Sequence, residues 1–189
     1  GQNGGGLLDT FGRTEIRDCT ISGNQAGIEG GGIDSLGGDI SINNATVRGN
    51  SADEGGGGIH NQFGELRMNA ATISNNNALD GGGIQNISGT ASLNFVSVVD
   101  NEAVGNGGGL SNRGGDLELA NTLVARNRVR IKSDSADVSG PIISQGYNLI
   151  GSSSGSWGYR HKLDFLNVDP LVTPLSDHGG PTATHALQP

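Results

Sequence analysis

Apolar residues in this chain recur at alternate positions, in short bursts. Between Asp39 and Arg48, Ile40, Ile42, Ala45 and Val47 are apolar, and Ser41, Asn43, Asn44 and Thr46 separate them. A period of two predicts strands with one buried face. The parity breaks between Ile42 and Ala45, which marks a corner. Bursts of the same shape return along the first two thirds of the chain, and no segment carries a helical period.

The bursts belong to a tandem repeat. The motif Gly-Gly-Gly-(Ile/Leu) begins at Gly4, Gly30, Gly56, Gly81 and Gly107, at intervals of 26, 26, 25 and 26 residues. Aligned on that glycine, the units share a second glycine column, Gly12, Gly38, Gly64, Gly89 and Gly115. They also share an asparagine column, Asn24, Asn50, Asn76, Asn101 and Asn127. Each unit is expected to hold about three short strands: one after the triple glycine, one near offset ten, and one in the Thr-Ile-Ser-Gly-Asn segment of Thr20–Asn24 and its counterparts. Antiparallel hairpins would set unlike residues side by side. Parallel coils set equivalent columns above one another, about 4.8 Å apart. Inward ladders then follow: Leu7, Ile33, Ile59, Ile84 and Leu110; Ile16, Ile42, Met68, Leu93 and Leu119; Ile21, Val47, Ile73, Val98 and Val124. Ala26, Ala52, Ala78, Ala103 and Val129 would fill a tight corner. A slip of one residue would turn every row outward.

The predicted fold is therefore all-β: a single-domain parallel β-helix, right-handed by the general preference of parallel crossovers. Five regular coils of about 26 residues would rise roughly 24 Å. The regular repeats occupy residues 1–129. Residues 130–189 are read as one or two irregular final coils, a loop and a C-terminal cap or tail in the same domain.

Composition sharpens this. Glycine, at 35 of 189 residues, is far above ordinary usage, while proline is only 5, which excludes a collagen-like or Pro/Gly-disordered chain. The interior is expected to be thin and aliphatic, renewed along an axis. The net charge of −8 argues against nucleic acid and anionic membranes as partners. No apolar stretch approaches the ~18 residues of a membrane span. The single cysteine, Cys19, excludes an internal disulfide framework. The first residues lack a secretory signal, as expected of a processed chain or an excerpt. Nothing precedes the first unit that would cap the stack. A preceding domain or a second copy stacked head to tail is the expected partner there, the latter giving a filament.

Candidate chemistry is sparse. Polysaccharide-cleaving sites need clustered carboxylates with a base, or a paired acid and nucleophile. Asp39 and Glu65 fall in one column on adjacent coils, with Asp116 two coils further and Arg67 two offsets away. Asp34 and His60 are neighbours in another column. Asp39, Glu65, Arg67 and the only tryptophan, Trp157, are the candidates for a carbohydrate site. Trp157 is read first as a cap over the end of the core. The threonine column Thr20, Thr46, Thr72 and Ser97 is read as a plain surface strand. Arg126, Arg128, Arg130 and Lys132 are read as a solvated edge. No catalytic residue, cofactor or metal ligand is assigned, because neither zinc spacing nor a calcium-roll nonapeptide is present. The asparagine and glycine columns are assigned structural roles, the asparagines as a hydrogen-bonded stack.

The triple-glycine-aliphatic element and the later asparagine resemble the repeats of bacterial right-handed parallel β-helix proteins. They are similar in particular to polymorphic outer-membrane-protein repeats and secreted, surface-anchored repeat proteins. The C-terminal segments Gly146–Gly151, Asp169–Leu171 and Asp177–Thr182 resemble the end of repeat domains that precede a surface anchor. The resemblance implies secretion and display at the cell surface. The expected function is a structural or adhesive module that is extracellular or at the cell surface, with surface glycans as further partners. The alternative is a carbohydrate-binding or polysaccharide-cleaving β-helix.

Overall fold

In a computed structural model of the protein, residues 2–131, 136–159 and 161–188 are described. The described residues contain strands and no helix. They form a parallel β-solenoid in which each of the five regular coils contributes one strand to each of four sheets. In the second coil these strands are Ile33–Leu36 (sheet A), Asp39–Asn43 (sheet B), Thr46–Arg48 (sheet C) and Ser51–Ala52 (sheet D). Every strand pairing between coils is parallel and stacks the predicted columns, as in Ile33↔Ile59, Ile42↔Met68 and Val47↔Ile73.

The fourth sheet was not expected. The column read as a tight corner is itself a strand, because Gln25–Ala26 pairs with Ser51–Ala52 and so on up the stack. Three of its five strands, Gln25–Ala26, Ser51–Ala52 and Arg128–Val129, have only two residues, too few to show alternation, so only the column of small side chains betrayed the sheet; Ala26, Ala52 and Ala78 pack as a separate cluster.

The three predicted apolar ladders form one continuous core. The core gains a second inward row on sheet B, Ile40, Leu66, Ala91 and Leu117. The corners share a rule: each turn has one residue in the left-handed region. Between sheets A and B it is Phe11, Gly37, Phe63, Ser88 and Gly114; between sheets B and C it includes Asn44, Ala70, Phe95, Asn121 and Tyr147. The invariant column Gly12 to Gly115 is therefore not the left-handed position, which lies one residue earlier. Its glycines are required by close approach: a Cβ on Gly64 would lie 2.5 Å from the Gly38 carbonyl oxygen and 2.8 Å from Asn61 Oδ1.

Beyond the fifth coil, Val138–Pro141, Ile143–Gly146 and Leu149–Ile150 extend sheets A, B and C. Ser156–Trp157 and Phe165–Leu166 add a last partial coil. Trp157 does not cap the core: it is 62 % exposed, and Tyr159, two residues on, packs against the core instead. The C-terminal tail folds back on itself, with antiparallel bridges Val172↔Leu187 and Ser176↔Thr184. It lies over sheet C, where Thr46 Oγ1 donates to the Ala183 carbonyl at 2.7 Å and Ser74 Oγ lies 3.0 Å from His185 Nε2. The middle of the threonine column is thus covered rather than displayed, with Thr46 and Thr72 buried. Arg126 departs from the solvated-edge reading as well. It grips Asp100 through two bonds of 3.0 and 2.8 Å and donates to the tail's Val172 carbonyl at 2.6 Å. Lys132 lies outside the described residues.

Candidate functional site

Two side-chain ladders run through the solenoid. In the predicted one, each asparagine Oδ1 accepts from both the backbone N–H and the Nδ2 of the asparagine one coil earlier. For Asn76 these distances are 2.9 and 3.0 Å from Asn50. Its own Nδ2 donates to Asn101 Oδ1 at 2.9 Å and to the Val47 carbonyl at 3.0 Å. The ladder ends on a carboxylate. Asp137 Oδ1 accepts from Asn127 N and Nδ2 at 3.0 and 2.8 Å, and its Oδ2 accepts from Ser152 N at 2.7 Å. Burial pushes the Asp137 carboxyl above its ordinary value, while the bonds from Asn127 and Ser152 pull it down.

The second ladder went unread in the sequence. It lies on the inward face of sheet A, where Asn61 Nδ2 donates to Asn86 Oδ1 at 2.8 Å and Asn86 Nδ2 to Asn112 Oδ1 at 2.9 Å. The same amides reach the carbonyls of Gly64, Gly89 and Gly115, which ties the second glycine column to this ladder. The signal was available, since Asn61, Asn86 and Asn112 recur at one offset. Asp9 and Ser35 at the head of the column mask it.

Of the carbohydrate candidates, the fold brings three together. Asp39 and Glu65 are register partners on the outer face of sheet B, and Arg67 pairs with Glu65 on the same strand. The Arg67 and Glu65 side chains are 55 % and 37 % exposed, and an ion pair so exposed contributes little. Trp157 lies on sheet A, four to five coils further along, roughly 19–24 Å away along the axis. Exposed aromatic residues border sheet B at its corners: Phe11 and Phe63 on one side, Phe95 and Tyr147 on the other.

A third arrangement is buried. The outward row of sheet A, Asp34, His60, Gln85 and Ser111, would be expected in solvent, yet all four are buried. The residue before the triple glycine reaches across the first two of them. Gly30, in the left-handed region, turns the chain so tightly that a Cβ there would meet Asp34 Cβ at 2.4 Å. This folds the preceding residue across the next coil. Asn3 Nδ2 thereby donates to Asp34 Oδ2 at 3.0 Å, and Glu29 Oε2 reaches 3.5 Å from His60 Nδ1. Gly55 leaves room for Gln85, whose Oε1 would lie 1.9 Å from a Cβ at that position. His60 Nδ1 also lies 2.7 Å from Asp34 Oδ1, while its Nε2 is buried without a partner. The Asp34–His60 neighbour pair was legible in the sequence. Glu29 was not, because the fold-back that delivers it is a property of the Gly30 turn.

No protein-family model, no curated protein and no solved structure matches this chain.

Proposed function

We propose that the chain is a structural or adhesive β-solenoid module, extracellular or at the cell surface, whose task is to present a rigid, regular surface. The observation that carries this reading is the unbroken internal bonding. The asparagine ladder crosses five coils and closes on Asp137, and no insertion builds a groove over the regular coils. Such a stack is a stiff rod with few mobile loops, as suits a spacer or display element and not an enzyme that closes around a substrate. The edge of the first coil fits a further coil, from a preceding segment or from a second copy. Its Leu7 and Ile21 are only half-buried, whereas their counterparts one coil on are fully buried.

A second reading, carbohydrate binding, is favoured by one observation. Phe11, Phe63, Phe95 and Tyr147 project beside a polar sheet face, and an aromatic ring stacks well on the apolar face of a sugar. The test is a polysaccharide panel, assayed for binding and for new reducing or unsaturated ends. The structural reading expects neither binding nor turnover, and its adhesive form allows binding without turnover. Turnover of any polysaccharide would overturn the proposal. Sedimentation across a concentration series, with negative-stain images, tests stacking: growing rods support the second-copy partner, and a monomer at every concentration excludes it.

A further inference from the structure

The Glu29–Asp34–His60 cluster has more negative charge than its hydrogen bonds can satisfy. His60 Nδ1 carries at most one proton, and Asp34 Oδ1, at 2.7 Å, takes it. Glu29 Oε2, at 3.5 Å from the same nitrogen, is too far for a hydrogen bond. Among the described residues the Glu29 carboxylate accepts no other. The His60 and Asp34 side chains are 1 % and 3 % exposed. The polar contacts of this enclosed ring are all on its Nδ1 edge, toward the two carboxylates, and Nε2 meets none. With a neutral imidazole the cluster carries two negative charges, and with an imidazolium one. Asp34 and His60 are buried and Glu29 is partly so, and buried charge is normally paired or coordinated to a metal.

We propose that Glu29, Asp34 and His60 bind a divalent transition-metal ion of the zinc class. One imidazole and two carboxylate oxygens form the donor set that such borderline ions favour, whereas calcium and magnesium favour oxygen alone. The three ligand atoms lie within 4.8 Å of one another. Tetrahedral bonds of about 2.0–2.2 Å place ligand atoms about 3.3–3.6 Å apart. The Glu29–His60 separation of 3.5 Å already has that value, and the Asp34–His60 contact opens by less than about 1 Å once a metal replaces the proton. Asp34 is held from behind, since Asn3 Nδ2 bonds its other oxygen at 3.0 Å; outer bonds of this kind fix a ligating carboxylate. A dication with neutral His60 brings the cluster to net zero.

Only the Glu29 side of the cluster approaches the surface. Glu29 lines a surface pocket of about 100 Å³ shared with Glu54, Asp80, Gln85 and Arg113. Glu54 adds negative charge there, and Arg113 is engaged with Asp80 at 2.5 Å. Because Asp34 and His60 are register partners on adjacent coils, the ion would also clamp two coils together.

The experiment is titration of chelator-stripped protein with Zn²⁺ by calorimetry and with Co²⁺ by visible absorption. One equivalent should bind, with the intensified absorption of tetrahedral Co²⁺ and a raised melting temperature. Glu29→Gln and His60→Gln should each weaken binding at least tenfold, while Glu65→Gln on sheet B should leave it unchanged. Glu29 is partly exposed, so its variant keeps the test decisive even if the His60 variant folds poorly. Absence of stoichiometric binding overturns the proposal. So does binding that Glu29→Gln leaves intact.

Discussion

Replacing Asn76 with alanine removes four hydrogen bonds from the middle of the stack. The Asn50 backbone N–H and one hydrogen of its Nδ2 lose the oxygen at 2.9 and 3.0 Å that receives them. Both Asn50 and Asn76 are buried, so water does not readily replace it. At about 1–3 kcal/mol for each buried group left unsatisfied, the two donors cost about 2–6 kcal/mol. For a chain of this size that lowers the melting temperature by roughly 8–16 °C around the midpoint of the range. Asn24→Ala is the matched control. Asn24 is half-buried, and its Nδ2 makes one bond, to Asn50 Oδ1 at 3.0 Å. Its backbone N–H keeps that same oxygen occupied at 3.0 Å. The control should cost about 0.5–1.5 kcal/mol. Thermal and urea unfolding followed by far-ultraviolet circular dichroism compare the two. Equal midpoints would refute the idea that the ladder's interior rungs hold the coils together.

Other perturbations separate close approach, ionisation and display. Gly64→Ala should cost roughly 1–3 kcal/mol through overpacking against Gly38 and Asn61. Gly180→Ala, where the nearest atom to a Cβ is 3.7 Å away, should stay within about 0.5 kcal/mol; chemical denaturation reads both. Tyr159 is pushed up from 10.0 to about 12, first by burial and then by the charges of Asp137 and Asp164, against a bond from Ser156. The unfolded phenol therefore ionises before the folded one. The stability this gives is intact below pH 10 and is lost as pH rises through about 12. Two units correspond to about 3 kcal/mol at most, reduced by the residue's partial exposure. Stability measured across that window should fall in the wild type and fall less in Tyr159→Phe.

The sequence carried most of the fold because a solenoid repeats its message. Each inward column was sampled five times, so Ile33, Ile59 and Ile84 could be placed without knowing the turns. Where a feature is short or broken the repetition failed. Three of the five strands of sheet D have only two residues, too few for alternation, and the asparagine row beginning at Asn61 is preceded by Asp9 and Ser35. Trp157 and Tyr159 lie beyond the last full repeat, where no column exists to tell inside from outside. The buried cluster was half legible. The Asp34–His60 stacking follows from register alone, whereas Glu29 arrives by the fold-back at Gly30. Burial of an outward row is a tertiary effect, as is the covering of Thr46 and Thr72 by the tail.

The central claim is that like positions in consecutive coils are direct neighbours. Ser41 and Arg67 are register partners on the outer face of sheet B, and Ser92 is the next position in the same row. In a Cys19→Ser background, Ser41→Cys with Arg67→Cys places two thiols on adjacent strands, about 4.8 Å apart at the backbone. That is within disulfide reach, while Ser41→Cys with Ser92→Cys spans about twice the distance and is not. Under mild oxidation the first pair should close quantitatively within the monomer and the second should stay reduced. Closure of the second pair in place of the first would contradict the stacked-coil account.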